Sequence, residues 1–459
     1  MVVTGRGART ASGLNALQAA MAARSVTFEP GGSPFIDGAG QEVGLGSLLA
    51  LPANLIGFER FVELASPALF ECAHGASAAM PLFLALPEGE RYDQRDARFG
   101  RPLLEALARK TDLAIDVEQS LIVRTGHAGF AELVERATQA IADFPAGLLI
   151  GGIDSAFDQR VVTWLDERSR LLRSSGTHGR IPGEAAAFLR VELLAETART
   201  KHAAKLRAGD TEDQTETAPK GSAQSRVIRR VAGALHSGSI EWVMSDLNGE
   251  PPRTDAWLAA EDLARDVLTT AVHEEVVPHI GDVGAATGAL LAVIAIEWAG
   301  IGAVRSPNVL IALSSDGPQR GAVAIDLPPP HATFVASMTA VSDHAVGHRK
   351  GSLEPSERER AQMERVARSL LEDIGSMAML LAPGPADEQP QESIAQRLFA
   401  SFDTLAALGT AVPAAVGEPD LLAVIDRYEA ESPDPDRARR FAVSFARSHL
   451  IAKRAKKRR

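Results

Sequence analysis

Residues 124–133 read RTGHAGFAEL and place one histidine, His127, among small residues at the start of a helical pattern. The apolar run SLIV (120–123) comes just before. A strand, a tight turn and a helix opening together mount the nucleophile in many enzymes, usually as Ser or Cys. An imidazole at that point can serve as a general base, or take an acyl group that it soon loses. A helix start also disfavours imidazolium, so a neutral His127 is expected. Other chemistry-bearing residues are few. HEEVVPHIGD (273–282) gathers His273, Glu274, Glu275, His279 and Asp282. Its second histidine comes six residues after the first, with a proline between, so it is not HExxH and does not converge on one ion. No metal is expected. Cys72 is the only cysteine, and His74 lies two residues on in a helical segment, where side chains point apart. A structural thiol is expected. GRGARTASG (5–13) follows a strand but lacks GxGxxG spacing, so neither a nucleotide nor any other cofactor is expected.

These residues need a scaffold, and the chain is long enough to build one. It has 459 residues, of which 45% are hydrophobic and 5% aromatic. Small apolar side chains in that proportion suit close packing of helices on a sheet. The net charge of −11 argues against a nucleic-acid-binding body, which would show a basic face. A single cysteine excludes an intramolecular disulfide and a multi-thiolate zinc site. MVVTGRGART contains no apolar signal segment, so a cytoplasmic protein is expected. The long apolar run 283–304 has the composition of a membrane span, but it contains Glu297 and no basic flank. A helix apolar on every side is also what the centre of a large core requires, and no membrane contact is expected.

Strand-like and helix-like segments alternate along residues 1–330. Strand patterns fall at 1–5, 80–88, 112–126, 145–155, 179–196, 239–250, 309–315 and 321–327. The first is expected to stop at a Gly-Arg-Gly turn, followed by a helix over 8–24. Helical spacing covers 60–76, 101–110, 129–144, 157–172, 255–272 and 283–304. The alternation argues for an α/β fold. Residues 207–226, RAGDTEDQTETAPKGSAQSR, are polar and are expected to form an exposed mobile loop. From about 355 the pattern becomes all-helical and ends in KRAKKRR (453–459). That tail is either a solvated end or a contact to an acidic partner or nucleic acid.

Six segments, in order, resemble the β-ketoacyl synthases. They are VVTGRGARTASGLNAL, RTGHAGFAELVERA, GLLIGGIDS, GRIPGEAAAFLRVE, PHIGDVGAATGALLAVIA and VLIALSSDGPQRGAVAI. The resemblance covers about residues 1–330. It implies a thiolase-like α/β fold, duplicated and five-layered (α-β-α-β-α), with the all-helical region added. The implied division is 1–200 for the first half, 201–228 for the mobile loop and 229–330 for the second half. A linker (331–356), a helical domain (357–452) and the basic tail (453–459) follow.

In that family a Cys attacks the thioester, two His stabilise the oxyanion or enolate, and a Lys supports one of them. Carried across, the Cys position falls on His127 and the first His on Ser245 or Asp246. The second His falls on Asp282 and the Lys on Val277. The resemblance further implies a ligand pocket around Gly126, His127, Phe130, Asp246, Asp282, Ser315 and Asp316. Carboxylates at two positions that must stabilise negative charge oppose condensation. The resemblance therefore implies a degenerate member, a pseudoenzyme that binds or assembles. A chain-length-factor-like partner subunit and an enzyme rebuilt around His127 with Asp246 or Asp282 are the alternatives. The implied homodimer forms through the strand near 118–125. The helical region loosely resembles proteins of bacterial type VI secretion loci. This points to an adaptor for an effector or spike and to a protein partner bound by that region.

Overall fold

The computed structural model describes residues 1–328 apart from 25–29, 32, 77, 89–90, 92–95, 174–175, 177, 194–202, 236–239, 269–270 and 301–302. The expected helical domain (357–452), its linker and the basic tail lie outside the described residues.

The first half runs β1 (Val2–Thr10), α1 (Ala16–Arg24), α2 (Gly57–Cys72), β2 (Leu82–Ala85), α3 (Arg101–Thr111) and β3 (Leu121–Val123). It continues with α4 (Gly129–Ala140), β4 (Leu148–Ser155), α5 (Gln159–Glu167) and β5 (Glu184–Glu192). The second half runs β6 (Lys205–Asp213), α6 (Ser222–Ala232), β7 (Trp242–Ser245), α7 (Pro251–Leu263) and α8 (Arg265–Leu268). It ends with β8 (Val272–Glu275), α9 (Thr287–Gly300), β9 (Asn308–Ser314) and β10 (Gln319–Asp326).

The strand order is β3-β2-β4-β5-β1-β6-β10-β9-β7-β8. Read inward from either edge, the two halves follow the same rule. β2 is parallel to β3 and β4, and β7 is parallel to β8 and β9. β5 is antiparallel to β4 and β1, and β10 to β9 and β6. This is an internal duplication in which β1–β5 correspond to β6–β10. The halves join at one pairing, Val2 with Lys205. α4 packs on β2 and β4 and also on β6 and β10, while α9 packs on β1, β4, β5 and β9. The two central helices thus lie between the halves. α2 covers the outside of β1, β4 and β5, and α6 covers β6, β9 and β10. The expected α/β fold is present.

The layers follow from the side chains. α9 is apolar all round, and Thr287–Ala299 is buried along its whole length. Near its C-terminal end two polar groups are satisfied. Glu297 pairs with Arg6 of β1, and the Trp298 indole N–H donates to Ala20 O at 2.8 Å. Among the described residues no helix is long and apolar enough to cross a membrane.

Three expectations are corrected. β1 does not stop at Gly5-Arg6-Gly7 but continues to Thr10. These glycines let α2 lie directly on the strand, since a Cβ at Gly5 would stand 2.1 Å from Cys72 O and one at Gly7 2.0 Å from Ala68 O. β4 uses glycine in the same way at Gly151-Gly152, where a Cβ on Gly152 would stand 2.2 Å from Ala285 O. Residues 207–226 are not a loop throughout. Lys205–Asp213 is a central strand, so the second half starts there and not at 229. Its charges are paired: Glu212 takes Arg226 and Arg230 at 2.7 Å each, Asp210 takes Arg230, and Arg207 takes Asp326. Finally, the helix expected over 255–272 begins at Pro251 and breaks after Leu263, and Val272 opens β8.

Candidate functional site

β3 ends at Val123, and the chain turns on Gly126 (φ 59°) through a 3-10 turn, Gly126–Ala128, into α4. The turn buries His127, which is 3% exposed. Its Nε2 lies 2.8 Å from Asp282 Oδ1, joining residues 155 apart in sequence. Asp282 sits on the corresponding approach to α9, and its Oδ1 also accepts the Gly284 N–H at 3.0 Å. Its other oxygen accepts from Arg180 Nη1 at 2.8 Å and Asn248 Nδ2 at 2.7 Å.

The network extends outward from Asp282. Arg180 reaches Glu250 and Asp316 at 3.0 Å each. Arg170 bridges the same two carboxylates, at 2.6 Å each. Arg253 spans Asp246 at 2.6 Å and Asp316 at 2.9 Å. Glu88 closes it by accepting the Asp316 and Gly317 N–H groups at 2.6 and 2.8 Å. Three guanidiniums are interleaved with carboxylates around one histidine.

This geometry sets the protonation states. Burial pulls the His127 imidazole down, but the Asp282 carboxylate and its hydrogen bond outweigh it and hold the group above the usual histidine range. The direction is opposite to that expected from the helix dipole, because a carboxylate in contact outweighs a half-charge at a helix end. Burial would raise Asp282, yet Arg180 and His127 hold it well below the carboxylate range. Asp316 is likewise held down against burial by Arg180 and Arg253. Glu88 moves the other way, pushed up by burial and then by Asp316.

The anticipated pocket residues separate into two groups. Gly126, His127, Asp282 and Asp316 line a cavity of about 110 Å³, with Val161, Leu165 and Trp164 as its apolar wall. Ser315 is buried beside it; its hydroxyl accepts the Ala128 N–H at 3.0 Å and donates to Thr125 O. Phe130 is fully buried in the central core and does not line the cavity. Val277 is buried in a separate 3-10 turn and does not line it either. Asp246 does not meet His127. It accepts from Arg253 and from the Ser314 N–H at 2.6 Å, so Asp282 is the partner in the anticipated His/Asp pair.

The HEEVVPHIGD segment disperses as its spacing indicated. His273 Nε2 lies 2.7 Å from Ser245 Oγ, and Glu274 accepts from the Trp242 indole at 3.1 Å. Cys72 lies on α2, buried among apolar residues, and burial pushes its thiol far above the usual range. One group, Glu88, His127 and Asp316, brings its possible ligand atoms within 4.8 Å of one another. Asp316 is already held by Arg170, Arg180 and Arg253, so a cation there would face three guanidiniums. The set does not suit a metal.

Arg170, Arg180, Asn248, Glu250, Arg253 and Glu88 were not found by sequence reasoning. Two segments touched them, GRIPGE around Arg180 and SDLNGE with Asn248 and Glu250, but each marks a region and not these residues within it.

No family model matches the chain, and no curated protein matches it. Solved structures do. One is the AntDE:AntF complex, a type II polyketide synthase acyl-carrier protein with its ketosynthase bound to the hexaketide. It has a TM-score of 0.54 at 14% identity and covers 71% of this chain and 98% of that chain. The ishigamide ketosynthase/chain length factor gives 0.52 at 16%, covering 71% and 99%. A ketosynthase domain of oxazolomycin from Streptomyces albus gives 0.55 at 13%, covering 86% and 83%. At these identities the likeness is one of fold, and the chain has the thiolase-like α/β fold of the ketosynthases.

Proposed function

We propose that this thiolase-fold protein does not condense thioesters and acts by binding. The observation that carries this reading is the ion-paired His127 turn. A histidine whose Nε2 is engaged by a buried carboxylate does not offer that nitrogen to an acyl carbon. Its Nε2 is tied to Asp282, and Arg180 and Asn248 hold Asp282 in turn. The Ala128 N–H, a natural donor to an oxyanion at this helix start, is taken up by Ser315. The only thiol, Cys72, is buried on α2 and held protonated. Carboxylates at Asp246 and Asp282 would oppose the negative charge of an enolate.

Intact-protein mass spectrometry after incubation with acyl-coenzyme A and with an acylated carrier protein tests the reading. Unchanged mass and no thioester turnover are expected. An acyl group mapped to His127 would overturn it and favour the enzyme rebuilt on His127 and Asp282.

A second reading, a partner subunit in the manner of a chain length factor, predicts a heterodimer with an intact synthase, whereas the binding reading predicts a homodimer through the sheet edge. β3 ends the sheet, and Leu121 and Ile122 are only partly buried there. An apolar edge strand of this kind pairs readily with another copy across a two-fold axis. A homodimer is expected by light scattering at micromolar concentration, and a monomeric mass would overturn that assembly. The secretion-spike adaptor reading rests on 357–452, so its support is the sequence pattern alone.

A further inference from the structure

Behind the His127 cavity, and sharing Arg168, Arg170 and Asp316 with it, lies a larger one of about 490 Å³. Its size falls within the roughly 300–1,000 Å³ of small-molecule sites. Arg253, Arg320 and His178 also line it. Two of its arginines are neutralised in place: Arg170 by Glu250 and Asp316, and Arg253 by Asp246 and Asp316.

The other two are not. Arg320 donates from Nη1 to the carbonyls of Ser315, Gly317 and Gln319 at 3.1, 2.7 and 2.8 Å. Among the described residues, no carboxylate forms an ion pair with it, and its Nε and Nη2 have no protein acceptor. Arg168 lies over the Trp164 ring, 4.6 Å from its centroid, and donates from Nη1 to Trp164 O at 3.3 Å. It too has no carboxylate partner among the described residues. Burial and the neighbouring Arg253 hold Arg320 below the usual arginine range, so its charge is opposed where it stands. An arriving anion relieves that opposition.

The chain as a whole carries −11, and against that charge this concave site sets two guanidiniums that have no ion-pair partner among the described residues. A cleft with low-dielectric walls concentrates that field. Guanidinium forks match phosphate oxygens in pairs, and a phosphoryl group has enough oxygens to serve two forks at once. A single carboxylate satisfies one.

We propose that this cavity is an anion site for a phosphate-bearing small molecule, held by Arg320 and Arg168. The site does not depend on the absence of condensing activity. Acylation of His127 would overturn the proposed function and leave this inference standing.

Calorimetric titration of the full chain with inorganic phosphate and with pyrophosphate, at low and at moderate salt, tests it. Saturable binding is expected, tighter for pyrophosphate and weaker as salt rises. Arg320→Gln is expected to weaken pyrophosphate binding by about tenfold or more. Arg320 also ties the turn between β9 and β10, so Arg168→Gln is the second variant; it removes a side chain that stacks only on Trp164. A loss of about threefold or more is expected there. No saturable heat with either anion, or unchanged affinity in both folded variants, overturns the proposal.

Discussion

In the first half the chain leaves β3, turns on Gly126 and enters α4; in the second it leaves β8, turns on Gly284 and enters α9. Both glycines have positive φ, 59° and 50°, and both open a 3-10 turn. Each turn has an amide capped from the end of a corresponding strand. Ala128 N–H is accepted by Ser315, just past β9, and Ala285 N–H by Asp154 Oδ2 of β4 at 2.9 Å. The backbone therefore builds the same seat twice. The side chain in the seat differs: His127 in one, Ala285 in the other. Asp282, on the approach to the second turn, ion-pairs with the histidine of the first. The duplication supplies the geometry, and the charge network arises where the two copies stopped being alike.

The largest expected effect breaks that asymmetry at its centre. Asp282→Ala removes the partner of His127, Arg180 and Asn248 together and leaves buried cations short of a counter-charge. Losing one member of a buried pair costs about 3–5 kcal/mol, and denaturant unfolding should show a loss of that size. The pH profile sharpens the test. His127 is held above its usual range, so its pairing contributes fully below about pH 6.5 and is lost as pH rises through the raised folded value. Asp282 is held low, so its contribution is present above about pH 3.9 and fails only in stronger acid. The native chain should therefore lose stability as pH rises from about 6.5 through the raised folded value, and Asp282→Ala should lack that limb. An unchanged profile would show that His127 is not held as a cation.

A smaller effect separates the two turns at their glycines. A Cβ on Gly284 would stand 1.8 Å from Asp154 Oδ2, which is fixed by the Ala285 N–H and by Arg91. One on Gly126 would meet the end of the Glu88 side chain at 2.5 Å. Both substitutions carry the left-handed cost of about 1–2 kcal/mol and both press on a carboxylate held by backbone N–H groups, but the clash at Gly284 is closer and its carboxylate is also ion-paired with Arg91. Gly284→Ala is expected to lose about 2–4 kcal/mol and Gly126→Ala about 1–2 by thermal or denaturant unfolding. Equal losses would mean that the two seats are equally adaptable.

The scaffold was legible because its signals are local. Alternating strands and helices, the glycine turns before α4 and α9 and the apolar α9 all lie within short windows. His127 and Asp282 were legible because each sits at an element end in a recognisable segment. Their pairing was not, and neither were Arg170, Arg180, Glu250 and Arg253. In sequence these are ordinary surface-like charges, and only the fold brings them to one point. β6 was missed for a related reason. Asp210 and Glu212 resemble a solvated loop until Arg226 and Arg230 of α6 supply their counter-charges. A charged strand is stable when the covering helix carries the opposite sign, and no window of the strand alone contains that fact.

The smallest expected effect concerns the two caps. Asp154 is a carboxylate and serves a turn with no charge of its own, so it needs Arg91, at 2.6 Å, as counter-ion. Ser315 is neutral and serves the turn that holds the imidazolium, whose counter-charge already comes from Asp282. Replacing Ser315 by Ala removes one acceptor from the Ala128 N–H and one donor from Thr125 O without disturbing any ion pair. A lost cap of this kind costs about 1 kcal/mol. Denaturant unfolding of Ser315→Ala should show that loss with the pH limb of His127 intact. A flattened limb would mean that the serine also sets the position of the imidazole, and the two caps would then differ in role as well as in charge.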